Sequence, residues 1–252
     1  VHREYQAPKT DGINLITLTH SGQDINVSIR RIQNAKRFIL RVRFATRDAV
    51  LTMPKRASLK EAHDFAERNA AWIVARLNRL PETIPFMEGA IIPIRGLDHI
   101  LIHQETIRGT VWSAPAEKDS AFMRLYVAGE RAHMNRRVHD FLKREARQDL
   151  EKAVYRHTQT VGVMPCRISL RDPVSRWGSC STNRVLNFSW RLIFAPSFVL
   201  DYLAAHEVAH LIHLDHSPQF WKLTRQLCSD VDHAEAWLKT NGAHLHKYGP
   251  QK

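Results

Sequence analysis

The chain has 252 residues, 44% apolar and 25% charged, with a formal net charge of +12 and three cysteines, Cys166, Cys180 and Cys228. That length and composition describe a globular chain with a sizeable core, built as one large domain or two smaller ones. Three cysteines without a CxxC pair exclude a disulfide-stapled scaffold or a cysteine-rich metal ribbon, and no apolar run approaches the roughly 18–20 residues of a membrane span.

The first fifty-odd residues read as strands, at Ile13–Thr19, Ile25–Ile32, Phe38–Phe44 and Val50–Met53. Ser58-Leu59-Lys60-Glu61 is a capping box, and the spacing of Ala66, Ile73 and Leu77 predicts a helix to about Leu80, closed by Pro81 and Pro85. Further strand signals follow at Ile91–Ile94, His99–Ile102, Val111–Trp112 and Met123–Val127. Residues 1–128 are therefore expected to form a β-rich N-terminal region with one helix. From Glu130 to Val161 the period turns helical, through Val138, Phe141, Leu142, Ala146 and Leu150, with Gly162 as the stop. A short strand is expected at Ile168–Leu170 and a longer one at Val185–Phe194, where Leu186, Phe188, Trp190 and Leu192 alternate. Pro196 then admits a helix from Ser197 to about His213, and Ser217-Pro218 opens another to about Cys228. No internal repeat is visible. Residues 129–252 form the second expected region, making the chain α+β.

The chemistry gathers in HEVAH at 206–210, followed by His216. Positions i and i+4 share one helix face, so His206 and His210 can grip one ion, while Glu207 projects beside it as general base toward an activated water. Catalytic zinc takes three protein ligands and keeps one position open. His216 is the expected third ligand, because the helix must break near His213–Asp215 and let the chain fold back; His213, His233 and Glu235 are rivals. Asp215 would orient a ligand imidazole or cap the next turn. His213 itself reads as an exposed residue. Imidazole ligands make zinc the expected cofactor, one ion per chain, although they also suit iron, nickel or cobalt.

A second stretch, Ser175-Arg176-Trp177-Gly178-Ser179-Cys180-Ser181, has the composition of a tight turn between strands. Cys180 reads as a structural cysteine. Arg176 and Asn187 are open between substrate contact and a purely structural place.

RWGSCS at 176–181, NFSWRLIFAP at 187–196 and LDYLAAHEVAHLIHLDHSPQFW at 200–221 together resemble the YgjP-like metallopeptidase family, relatives of the SprT-like zincins. The resemblance is strong over residues 130 to 240 and loose before them. It implies a zincin-like core, an active-site helix on a twisted, mostly antiparallel sheet, with zinc on His206, His210 and His216 and Glu207 as base. Asp215 departs from the family pattern, in which asparagine is common before the third histidine. Residues 222–252 hold one cysteine, Cys228, so the cysteine-rich ribbon of many SprT-like proteins is not expected among them.

The expected activity is a metal-dependent hydrolase, a zinc metallopeptidase acting on a peptide or protein laid beside Val185–Phe194. A second reading keeps the site and moves the attack to a nucleoside-triphosphate phosphoanhydride. A third makes the chain a nucleic-acid-binding protein with a non-catalytic metal site. The basic excess favours such anions, but its spacing, as in Arg41-Val42-Arg43, is that of a solvated strand face. With no charged leader and no membrane partner in view, a cytoplasmic location is expected.

Overall fold

The computed structural model describes residues 14–43, 46–80, 82–105, 110–118, 120–173 and 175–249. Ile13, Phe44 and Pro81, expected at element ends, lie outside these. The chain divides into two compact units, the first ending at Glu82 and the second beginning at Thr83.

The first unit carries strands β1 (Asn14–His20), β2 (Gln23–Ile32), β3 (Ile39–Arg43) and β4 (Asp48–Pro54), then helices α1 (Leu59–Arg68) and α2 (Ala70–Asn78). Its sheet runs β1-β2-β4-β3, with β2 and β4 parallel and the outer pairs antiparallel. Alternation puts Ile16, Leu18, Ile25, Val27, Ile29, Ala49, Leu51 and Met53 in one core with Ala62, Ala66 and Ile73 of the helices. The capping box forms: Ser58 Oγ accepts from Glu61 N at 3.2 Å, and Glu61 accepts from Ser58 N at 2.7 Å. The single helix expected to Leu80 is instead broken at Asn69 (φ −106°, ψ 9°). Its side-chain amide donates to Phe65 O at 2.7 Å, a local bond that competes with the helical ladder.

The second unit has strands β5 (Ile91–Ile94), β6 (Leu97–Gln104), β7 (Val111–Ala114) and β8 (Met123–Ala128), the long helix α3 (Met134–Val161), and strands β9 (Arg167–Arg171), β10 (Gly178–Cys180) and β11 (Val185–Ser189). Helices α4 (Ser197–Ala209), α5 (Pro218–Leu227) and α6 (Val231–Asn241) complete it. No described helix is long and apolar enough to cross a membrane. The sheet β5-β6-β8-β7 repeats the order and strand senses of the first unit's sheet, although no sequence repeat announces it. Ile92, Leu101, Leu125 and Val127 of this sheet share a core with Val138, Leu142, Ala146 and Leu150 of α3. The boundary expected after residue 128 therefore does not divide the contacts. A half-apolar sheet must be covered, and the cover is the helix that follows it. Gly162, at φ 71°, ends α3 in the left-handed conformation that its expected stop requires.

The sheet next to the site runs β10-β11-β9, with one antiparallel and one parallel pair, so it is mixed rather than mostly antiparallel. The strand expected over 185–194 stops at Ser189, whose Oγ accepts from Arg191 N at 3.3 Å and turns Trp190–Phe194 into a 3-10 helix. Every residue of that turn is buried, which is why its pattern imitates a strand. Arg191, 4% exposed, ties it to later chain. Its guanidinium donates to Asp172 at 2.7 and 3.3 Å and to Tyr248 O at 2.7 Å.

Candidate metal centre

Pro196 precedes α4, and thirteen residues then present an apolar surface on nearly every side: Val199, Leu200, Tyr202, Leu203, Val208 and four alanine or carboxylate positions among them are buried. The helix is enclosed rather than amphipathic. His206 and His210 stand one turn apart at its C-terminal end. A further turn, closed by His213 N donating to Ala209 O at 2.9 Å, releases the chain, which returns to bring His216 alongside. Asp215 secures the return by accepting from Ser217 N at 3.3 Å, and Ser217 Oγ accepts from Phe220 N at 3.4 Å to cap α5. Of its two expected tasks, Asp215 performs the cap.

One ring nitrogen from each of His206, His210 and His216 lies within 4.8 Å of the other two. His216 Nε2 faces His206 Nε2 at 3.2 Å. The hydrogen bonds on the far sides of the rings decide where the protons sit. Tyr202 donates its hydroxyl to Glu235 Oε1 at 2.9 Å, so its oxygen is left to accept from His206 Nδ1 at 3.3 Å. His210 Nδ1 donates to His213 O at 2.9 Å. Both rings thus turn an Nε2 lone pair inward, the form in which imidazole binds a cation. Burial, with His210 and His216 adding to it, holds His206 down to about 3, and burial likewise holds His210 below the ordinary histidine range. Neutral rings with converging lone pairs fit a soft-to-borderline divalent ion.

Phe220, fully buried, backs the cluster, with its ring centroid 4.9, 4.4 and 4.8 Å from those of His206, His210 and His216. Trp221 lies 5.8 Å from His216.

Glu207 is 3% exposed, and its Oε2 has no hydrogen-bond partner among the described residues. Burial pushes its carboxyl up to about 8, against the opposing charge of Arg176. An unpartnered buried carboxylate oxygen is costly, and such a group marks a functional place more often than a structural one. The carboxylate sits over Gly178 of β10, where a Cβ would approach Glu207 Oε1 to 2.3 Å. Gly178 thus makes room for Glu207 rather than forming the tight turn expected of RWGSCS. The turn lies later, at Arg184 (φ 54°). Gly178, Ser179, Cys180, Glu207, Leu214 and the three histidines line a cleft of about 250 Å3. Burial, then Glu207, pushes the Cys180 thiol up to about 11, so it remains a thiol outside the histidine cluster.

The rivals for a third ligand are occupied elsewhere. His213 contributes its carbonyl to His210, His233 stacks on Phe198 at 4.3 Å, and Glu235 stands on the Nδ1 side of His206 behind Tyr202. His213 is half-buried rather than exposed. Tyr202 and Gly178 were not singled out from the sequence. Tyr202 carries a readable signal, since it lies four residues before His206 on one helix face. The reason for Gly178 is a contact 29 residues away in sequence, which no local pattern carries.

No curated protein matches the sequence significantly. Among solved structures, the crystal structure of the metallopeptidase zymogen of Pyrococcus abyssi abylysin is similar at 16% identity, covering 36% of this chain and 92% of that one, with a TM-score of 0.34. A profile of the YgjP-like, metallopeptidase domain matches residues 36–241, a span that takes in the whole histidine cluster and the β10 wall of the cleft. Since the match covers most of the sequence, the chain belongs to the YgjP-like metallopeptidase family, a class of metal-dependent hydrolases.

Proposed function

We propose that the chain is a zinc-dependent peptidase with a zincin-like core, in which His206, His210 and His216 hold one ion and Glu207 is the general base. One observation carries this reading: three imidazole nitrogens within 4.8 Å of one another share a cleft with a buried carboxylate oxygen that has no partner. Three neutral nitrogen ligands suit zinc and leave a position for a reactant. Bound there, zinc supplies Lewis acidity to the carbonyl under attack and to the attacking water.

The chain's own residues supply the rest. Glu207 receives the water's proton and returns it to the departing amine. Its burial keeps the proton affinity high enough for both transfers, and Gly178 gives it a fixed seat. The substrate backbone was expected beside Val185–Phe194, but β11 has a partner strand on each side, so its hydrogen-bonding groups are engaged. Of the two edge strands, β9 and β10, it is β10 that lines the cleft, and an extended peptide finds its partner groups there.

The test is Glu207→Gln in the zinc-loaded protein, screened against a peptide library. Zinc stays at one per chain and cleavage falls by about 10²–10⁴-fold, the usual contribution of a general base. Cleavage by the variant at the wild-type rate removes Glu207 from the role. A second reading, hydrolysis of a nucleoside triphosphate, draws on Arg176, whose positive charge reaches Glu207. Pyrophosphate release by the wild type, lost in the same variant, would select it over the peptidase.

A further inference from the structure

Beside the metal cleft lies a second cavity of about 270 Å3, with Arg171, Arg176, Ser179, Asn187 and Phe188 on its walls. The two cavities share Gly178 and Ser179, so they meet across β10. No carboxylate lines the second one. Several arginines elsewhere are paired with carboxylates, Arg43 on Asp48, Arg95 on Glu145 and Asp149, Arg191 on Asp172 and Arg225 on Asp232 among them. Among the described residues no ion pair or side-chain hydrogen bond engages Arg171 or Arg176, both exposed, and the Arg176 charge acts on Glu207. Arg171 ends β9 and Arg176 lies two residues before β10, and both line this one hollow. Ser179 Oγ, which accepts from Asn187 Nδ2 at 3.5 Å, has its own hydroxyl proton to give.

A planar guanidinium recognises an oxyanion by paired donors, and two of them with a hydroxyl between form a site for a carboxylate. Successive residues of an extended chain are about 3.3 Å apart along the strand direction, so a peptide paired with β10 at the cleft places a neighbouring side chain over this hollow.

Resting on the peptidase reading, we propose that the Arg171–Arg176 hollow is a substrate subsite for the carboxylate of an aspartate or glutamate side chain within two residues of the scissile bond. It gives the enzyme an acidic-residue specificity that the metal and Glu207 by themselves do not impose.

The test compares zinc-loaded wild type with Arg171→Glu, a residue remote from Glu207 in the charge balance of the site. Peptide-library profiling of the wild type should show one position where Asp or Glu is favoured at least tenfold over Ala in kcat/KM. In Arg171→Glu that preference should collapse and move toward Lys or Arg at the same position, a reversal that misfolding does not produce. A wild-type profile with no acidic position, or an unchanged preference in the variant, overturns the proposal. If the zinc-loaded wild type cleaves no peptide, the peptidase reading fails, and binding decides the subsite separately. The wild type should then bind a fluorescent glutamate peptide at least tenfold more tightly than its glutamine analogue, and Arg171→Glu should not. Equal affinities overturn the subsite. Turnover of a nucleoside triphosphate with no binding of the acidic peptide also overturns it, and assigns the two arginines to phosphate.

Discussion

Replacing Gly178 with alanine perturbs Glu207 without touching a histidine. A Cβ at Gly178 would lie 2.3 Å from Glu207 Oε1 and 2.8 Å from its Cγ and Cδ, where ordinary contacts begin at 3.4 Å. The carboxylate must therefore retreat by about 1 Å to escape the overlap. Glu207 is 3% exposed, so the room for that retreat lies on the cleft side, away from its seat over Gly178. The backbone itself accepts alanine, because Gly178 does not occupy the left-handed region. A misplacement of about 1 Å at a reacting group costs on the order of 10²-fold in rate. That corresponds to about 2.7 kcal/mol of barrier. The assay is kcat/KM on a peptide cleaved by the wild type, with zinc content and a thermal melt measured on the same samples. Zinc should remain at one per chain while kcat/KM drops about a hundredfold. Activity within about threefold of wild type, in a variant with full zinc, would refute both the steric argument and the role of Glu207.

Two more consequences are measurable. Tyr202→Phe removes the hydroxyl that orients His206, and Glu235→Gln weakens the acceptor behind it, so each should lower zinc affinity by about 10–100-fold in a chelator competition; unchanged affinity in both would show that the His206 ring is held by packing alone. The second concerns pH. Burial holds His99 below the ordinary histidine range, with its ring nitrogens engaged by Leu97 O at 2.7 Å and Ser113 Oγ at 3.1 Å. The unfolded chain then binds a proton that the native chain refuses. This stability is fully present above about pH 6.5, the unfolded histidine pKa, and is lost as pH falls toward the depressed native value, by up to about 1.4 kcal/mol per pH unit. His99→Gln should flatten the difference between urea melts at pH 7.5 and 5.5, and an undiminished difference would assign the acid sensitivity to other groups, His139 first among them.

Much of the metal centre is legible in sequence because it is local. His206, Glu207 and His210 are fixed by the geometry of one helix, and His216 by the length of chain needed to turn back after it. What orients these residues is not local. Glu235 looks like a rival ligand when only residue type and distance along the chain are considered, and the structure puts Tyr202 between it and the ring. Gly178 looks like turn chemistry because glycine between an aromatic and a serine usually is, whereas its cause is the carboxylate above it. The same limit applies to the fold. Trp190–Phe194 alternates like a strand because all of it is buried, and burial on every side erases the periodicity that would separate a 3-10 turn from a strand. The two four-stranded sheets share a topology with no visible repeat, since alternation of apolar residues is all that each needs from its sequence.

The three presumptive ligands differ in what holds them, and this bears on how the site keeps its geometry without an ion. His206 is fixed through Tyr202 to α6, His210 to the carbonyl of the turn at His213, and His216 by the capped return that Asp215 and Ser217 make into α5. Phe220 packs against all three rings. The segment from His213 to Ser217 thus holds two of the three rings, and α6 the other. Burial favours the neutral forms of His206, His210 and the Glu207 carboxyl, so placing these three together requires no buried like charges. A divalent cation placed among them supplies the positive charge that favours ionised Glu207, and the burial that raises its proton affinity also strengthens that attraction. The burial of α4 that favours neutral His206 and His210 thus also raises the proton affinity of Glu207, while exposed His216 depends on the capped return.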